Sequence, residues 1–124
     1  MNKEQQINDI IYIAKNWESK PSKAKEKLSQ ILAGTLECVY CKQQKPEQIF
    51  WVIEDTKTGL IFKKVHSDLF TVCSLKCLMD RGLKKQSYYS VVGRLSNGEV
   101  LSTGFLGQDA MAINEFMGRI KEKK

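Results

Sequence analysis

Four cysteines carry the chemistry that is easiest to read in this chain. They come as two close pairs, Cys38-Val39-Tyr40-Cys41 and Cys73-Ser74-Leu75-Lys76-Cys77. A CxxC and a CxxxC pair together supply the donor set of a tetrahedral all-thiolate metal site, and such spacing favours one structural Zn²⁺. Iron accepts the same ligand type, and a disulfide or free thiols complete the alternatives. A redox CxxC opens a helix in a thioredoxin-like βαβ order, which this sequence lacks. Four thiolates spent on one ion leave no open coordination position, so the expectation is a non-enzymatic module.

Other chemistry is sparse. His66 is the only histidine. It stands where some metal-dependent nucleases keep a catalytic histidine, but the segment after Cys73 offers only Asp80 as a second metal ligand. A nuclease is therefore the remote alternative, and a turn or surface histidine the plain reading. The sequence contains no Gly-rich phosphate loop, no paired catalytic carboxylates and no Ser/His/Asp arrangement.

The 124 residues carry a formal charge of +6. Residues 38–86 hold nine basic against five acidic side chains, so the excess concentrates around the cysteines. Four thiolates and one Zn²⁺ would lower that excess by two. Lys42, Lys45, Lys63, Lys64, Lys84 and Lys85 are the candidate nucleic-acid contacts, with Lys76 and Arg81 nearby. Tyr88 and Tyr89 are candidates for stacking on bases. The competing reading is a solvated basic rim over core tyrosines. No secretory signal and no membrane-spanning run is visible, so the expected setting is a reducing cytoplasm, where paired cysteines are ligands more often than disulfides.

The elements that must position these residues are legible in outline. Ile7, Ile10, Ile11, Ala14 and Trp17 fall on one stripe of a helix over 3–17, with Asp9 on the opposite face. A second helix over 22–33, with Ser22 as N-cap and Gly34 as its stop, presents Ala24, Leu28, Ile31 and Leu32. The two predict an antiparallel hairpin over 1–35. It packs on the chain's own core or, alternatively, on a protein partner or a second copy. Segments 48–55 and 60–65 read as a β-hairpin whose apolar faces both need covering. A short helix from Ser74 to about Arg81 follows, with Leu75, Leu78 and Met79 inward and Cys73 and Cys77 on its first turn. Residues 88–106 form a second hairpin, its Asn97-Gly98 predicting a type I′ turn. A last helix over 109–121 presents Ile113, Phe116, Met117 and Ile120. The expected class is α+β, a single domain of helical hairpin (1–35), zinc finger (36–86) and β-hairpin plus helix (87–124).

Knuckle, hairpin, then a helix supplying the second ligand pair is the treble-clef plan. Within it, Cys38-x2-Cys41 followed by Cys73-Ser74-x2-Cys77, with Phe70 upstream, resembles the TRASH and MYM-type zinc fingers over about residues 38–81. That resemblance implies Cys38, Cys41, Cys73 and Cys77 as ligands of one structural zinc ion. It also implies a role in metal sensing, nucleic-acid binding or protein contacts. Two functions follow as expectations: a nucleic-acid-binding or regulatory protein, and a protein–protein assembly adaptor scaffolded by zinc.

Overall fold

The computed structural model describes residues 3–34, 36–56, 66–85 and 87–123. In chain order these form α1 (Lys3–Asn16), α2 (Pro21–Leu32), β1 (Ile49–Thr56), β2 (His66–Val72), α3 (Leu75–Arg81), β3 (Ser87–Arg94), β4 (Val100–Leu106) and α4 (Ala110–Lys123). The strands make one antiparallel sheet in the order β2-β1-β3-β4, so the two hairpins share a sheet. Phe50 faces Val72 and Gly93, and Glu54 faces Asp68 and Tyr89.

Side chains alternate across a strand, which sorts the sheet into two cores. Phe50 and Val52 of β1 join Phe70, Val72, Tyr89, Val91, Leu101 and Phe105 on one face, under Leu78 of α3 and Ile113, Phe116 and Ile120 of α4. Ile49, Trp51, Ile53 and Val92 lie on the other face, under Ile10 and Ile13 of α1 and Leu28 and Ile31 of α2. β1 is central and roofed on both sides, which is why residues 49–53 are uninterruptedly apolar.

Several sequence expectations shift. Segment 60–65 lies outside the described residues. The strand that pairs with β1 is 66–72, so His66 opens that strand opposite Thr56 rather than following it. In α1 the inward stripe is rotated: Ile10 and Ile13 are buried, Ile11 and Ala14 exposed, and Asp9 lies inside. Asp9 is tolerated there because Lys27 Nζ of α2 donates to its Oδ1 at 3.2 Å. Lys23 and Lys27 both sit over the Tyr12 ring, which with Asp9–Lys27 fixes the antiparallel packing of the helical hairpin. α2 starts with Lys20 as N-cap and Pro21 at its first position, and no side chain caps it, so Ser22 lies two residues past the cap. Pro21 needs no amide there.

The β3–β4 loop is also not a type I′ turn. Gly98 alone has positive φ (90°); its N–H donates to Leu95 O at 2.9 Å, and Leu95 N–H donates to Glu99 O at 2.8 Å. Asn97 contributes its Oδ1, which accepts from Glu99 N–H at 2.9 Å. This is the three-residue hairpin with glycine in the left-handed position, in which only one residue needs positive φ. At the start of α4, Asp109 Oδ1 accepts from Ala112 N–H at 3.0 Å, a cap absent from the sequence reading.

Candidate metal centre

Each cysteine pair is placed by its own local device. The first lies in a tight loop between Leu36 and Lys45, where Cys38 N–H donates to Gln43 O, Lys42 N–H to Cys38 O and Lys45 N–H to Leu36 O. Lys42 (φ 67°) and Lys45 (φ 45°) both adopt the left-handed conformation that turns the chain back. Inside the loop Cys41 N–H points at Cys38 Sγ, 3.4 Å away. The loop is docked edge-on to β2: Val39 N–H donates to Thr71 O at 2.9 Å, and Thr71 Oγ1 donates to Glu37 O. Thr71 is thus a positioning residue that sequence reasoning passed over, because its partners lie more than thirty positions upstream.

The second pair brackets the start of α3. Ser74 is its N-cap, extended at φ −159°, and its Oγ accepts from Cys77 N–H at 3.1 Å. Cys73 therefore lies one residue before the cap, not on the first helical turn. Cys77 is three residues after the cap, and the extended Ser74 swings Cys73 back beside it. Leu78 anchors the short helix in the core, Met79 points to solvent, and Gly82 (φ 100°) ends it.

These devices bring all four sulfurs together. One Sγ from each of Cys38, Cys41, Cys73 and Cys77 lies within 4.8 Å of every other. Cys41 Sγ is 3.5 Å from Cys73 Sγ, and Cys73 Sγ is 3.6 Å from Cys77 Sγ. Four thiolates bound tetrahedrally at about 2.3 Å from a zinc ion stand roughly 3.8 Å apart, so the quartet fits such an ion with sub-ångström adjustment. All four are free thiols. Cys38 is buried, Cys73 and Cys77 half-buried and Cys41 exposed, so the site opens on the Cys41 side.

The thiols are electrostatically unequal. Burial pushes Cys38 upward, but backbone amides of Cys41, Cys73 and Tyr40 directed at its sulfur outweigh that and bring it from 9.0 down to about 6. Burial, together with the neighbouring thiols and the Cys38 thiolate, drives Cys73 up to about 12. Ser74 lowers Cys77, but burial and the Cys38 charge leave it raised on balance. The Cys38 thiolate is thus favoured beside Cys73 and Cys77 thiols that hold their protons.

The remaining candidates scatter. Lys42 and Lys45 are exposed on the cysteine loop, and Lys76 is exposed next to Cys77 in sequence. Lys63 and Lys64 lie outside the described residues. Lys84 and Lys85 are exposed beyond α3, and Lys84 Nζ is 3.9 Å from Glu54 Oε1. Arg81 stacks on the Phe70 ring, 3.8 Å from its centroid. The tyrosines divide by strand alternation. Tyr88 is half in solvent, whereas Tyr89 is fully buried, donates to Glu54 Oε2 and accepts from Lys84 N–H at 2.7 Å, so Tyr89 cannot stack on a base. Burial and the Glu54 carboxylate raise the Tyr89 hydroxyl further. The exposed aromatic near the site is instead Tyr40, between the first two cysteines. No helix among the described residues is long and apolar enough to cross a membrane. No protein-family model, curated protein or solved structure matches this chain.

Proposed function

We propose that Cys38, Cys41, Cys73 and Cys77 hold one structural zinc ion in a treble-clef-like finger of the TRASH/MYM kind, and that the loaded module binds nucleic acid without acting as an enzyme. The convergence of four sulfurs from segments more than thirty residues apart carries the first half. Thiols crowded to 3.5–3.6 Å gain nothing from packing that apolar side chains would not supply better, and a divalent cation offsets the repulsion between their thiolates. The order of cysteine loop, β1–β2 hairpin and α3 supports the finger reading.

The second half rests on exposed side chains. Lys42, Lys45 and Lys76 are exposed on the segments that carry the cysteines, and the exposed Tyr40 offers a ring on which a base can stack. Zinc-loaded protein should bind short single-stranded DNA or RNA at low salt, with affinity that falls steeply as salt rises. Lys42→Glu with Lys76→Glu should weaken binding uniformly across sequences, and Tyr40→Ala should weaken single-stranded ligands most. Loaded protein with no affinity for DNA or RNA at low salt would end this half and leave the zinc assignment standing.

A further inference from the structure

We infer that β4 is a self-pairing edge through which two copies of this chain form a two-fold symmetric dimer with a continuous sheet. The sheet has two outer strands. The outer edge of β2 is engaged by the cysteine loop, whose Val39 N–H donates to Thr71 O. β4 is the other, and its sequence Val100-Leu101-Ser102-Thr103-Gly104-Phe105-Leu106 carries no charge, no proline and no interruption of its pairing with β3. Uncharged, uninterrupted edges of this kind are what natural sheets avoid unless something pairs with them.

The direction of the edge groups follows from the hairpin. Leu95 N–H bonds Glu99 O at one end, and Gly107 N–H bonds Ser87 O at the other. Antiparallel pairs alternate, so residues 101, 103 and 105 exchange bonds with β3 while Val100, Ser102, Gly104 and Leu106 turn their N–H and C=O outward. Arg119 Nη1 reaches Ser102 O at 3.4 Å from outside the sheet, which agrees with this direction and means that the guanidinium must release that carbonyl when a second strand pairs there.

Those outward residues are self-complementary about Thr103. With Thr103 facing its own copy, Ser102 faces Gly104 of the second chain and Val100 faces Leu106. Small side chains meet in the middle and apolar ones at both ends, and each outward-facing pair exchanges two backbone bonds. Gly104 must stay bare in any case, because a Cβ there would strike Tyr88. Leu106, 41% exposed, is brought by this register to Val100 of its partner. Val100 borders an open cleft of about 340 Å³ also lined by Ile13, Ala14 and Trp17. The +6 charge opposes self-association. β4 itself carries none of it, but Arg119, Lys15 and Glu18 line the cleft beside Val100 and Ser102, and Arg119 must turn away from the seam when two copies pair. Strand pairing alone covers less than a standard interface, so the dissociation constant belongs in the micromolar range.

This dimer does not depend on the nucleic-acid reading, and zinc-loaded full-length protein tests it by sedimentation equilibrium. The wild type should show a concentration-dependent monomer–dimer equilibrium. Ser102→Pro should be monomeric with an unchanged melting point, since proline at an outward amide costs the sheet no bond. Thr103→Cys should yield a covalent dimer on mild oxidation, because facing residues of a non-hydrogen-bonded pair lie about 4.5 Å apart at Cα. Ser102→Cys, which faces glycine in this register, should not. A wild type that stays monomeric up to millimolar concentration overturns the inference. A dimer indifferent to Ser102→Pro, or one cross-linked equally well through Ser102→Cys, overturns it too.

Discussion

Cys38 and Cys73 set opposite demands on pH. The Cys38 thiol lies at about 6 in the folded chain against 9.0 unperturbed. Its thiolate therefore stabilises metal-free protein fully above pH 9, and that contribution disappears as pH falls through 6. Cys73, raised to about 12, does the reverse: its neutral form supports the fold below pH 9, and that support fades as pH climbs through 12. Metal-free protein should accordingly gain stability from pH 6 to 9 and lose it above 9, which denaturant midpoints across the range would reveal. Loading follows from the same asymmetry. At neutral pH Cys73 and Cys77 still carry protons, so zinc entry must expel at least these two. Affinity should then weaken at least about a hundredfold for each pH unit lost on the acid side of neutrality, since at least two protons compete with the ion. Calorimetric titrations in buffers of different ionisation heat count those protons directly. Affinity unchanged between pH 6 and 7.5 would mean that these thiols do not bind the ion as thiolates.

Glycines show how a helix and a strand differ in what they tolerate. Gly118 sits inside α4, where an added Cβ would meet nothing within 4 Å. Gly118→Ala should therefore raise stability by about 1 kcal/mol, through helix propensity and a less flexible unfolded chain. Gly93 of β3 is the opposite case: a Cβ there would collide with the Phe50 ring, itself packed edge-on to Phe116 at 6.1 Å between centroids. Gly93→Ala should cost roughly 1–3 kcal/mol by overpacking. Thermal melts of the two variants should move in opposite directions. Propensity of this kind was legible in the sequence, and so were α2, α3, α4, the β3–β4 hairpin and the convergence of the cysteines. What was not legible depended on partners remote in sequence. The phase of α1 was misplaced because Asp9 is buried only by virtue of Lys27, eighteen positions on. The partner strand of β1 was expected at 60–65, which lies outside the described residues, because that segment is largely apolar while His66-Ser67-Asp68 at the start of β2 is polar. Which of Tyr88 and Tyr89 turns inward is set by pairing with Glu54 and Phe105, which no local pattern contains.

The molecule divides unevenly around its sheet. Cys38 belongs to the core beneath α3 and α4, with Cys73, Cys77 and Leu75 packed against it, whereas the core beneath α1 and α2 includes no cysteine. A bound ion would join three things that otherwise meet through few contacts: the cysteine loop, the end of β2 and the start of a seven-residue helix too short to persist alone. Structural zinc is worth about 10–16 kcal/mol of apparent binding energy in small fingers, so stripping it should lower the melting point by about 10 °C or more. The loss should also be local before it is global. After treatment with a strong chelator, amide exchange should accelerate first in β2 and α3 and in the 36–45 loop. The β1–β3–β4 ladder and α1–α2, closed over Ile10, Ile13, Leu28 and Trp51, should keep their protection longest. Trp51 emission should stay that of a buried indole while the four thiols become titratable. Uniform loss of protection would mean that the sheet itself depends on the ion, and an unchanged melt with reactive thiols would mean that no ion holds this corner together.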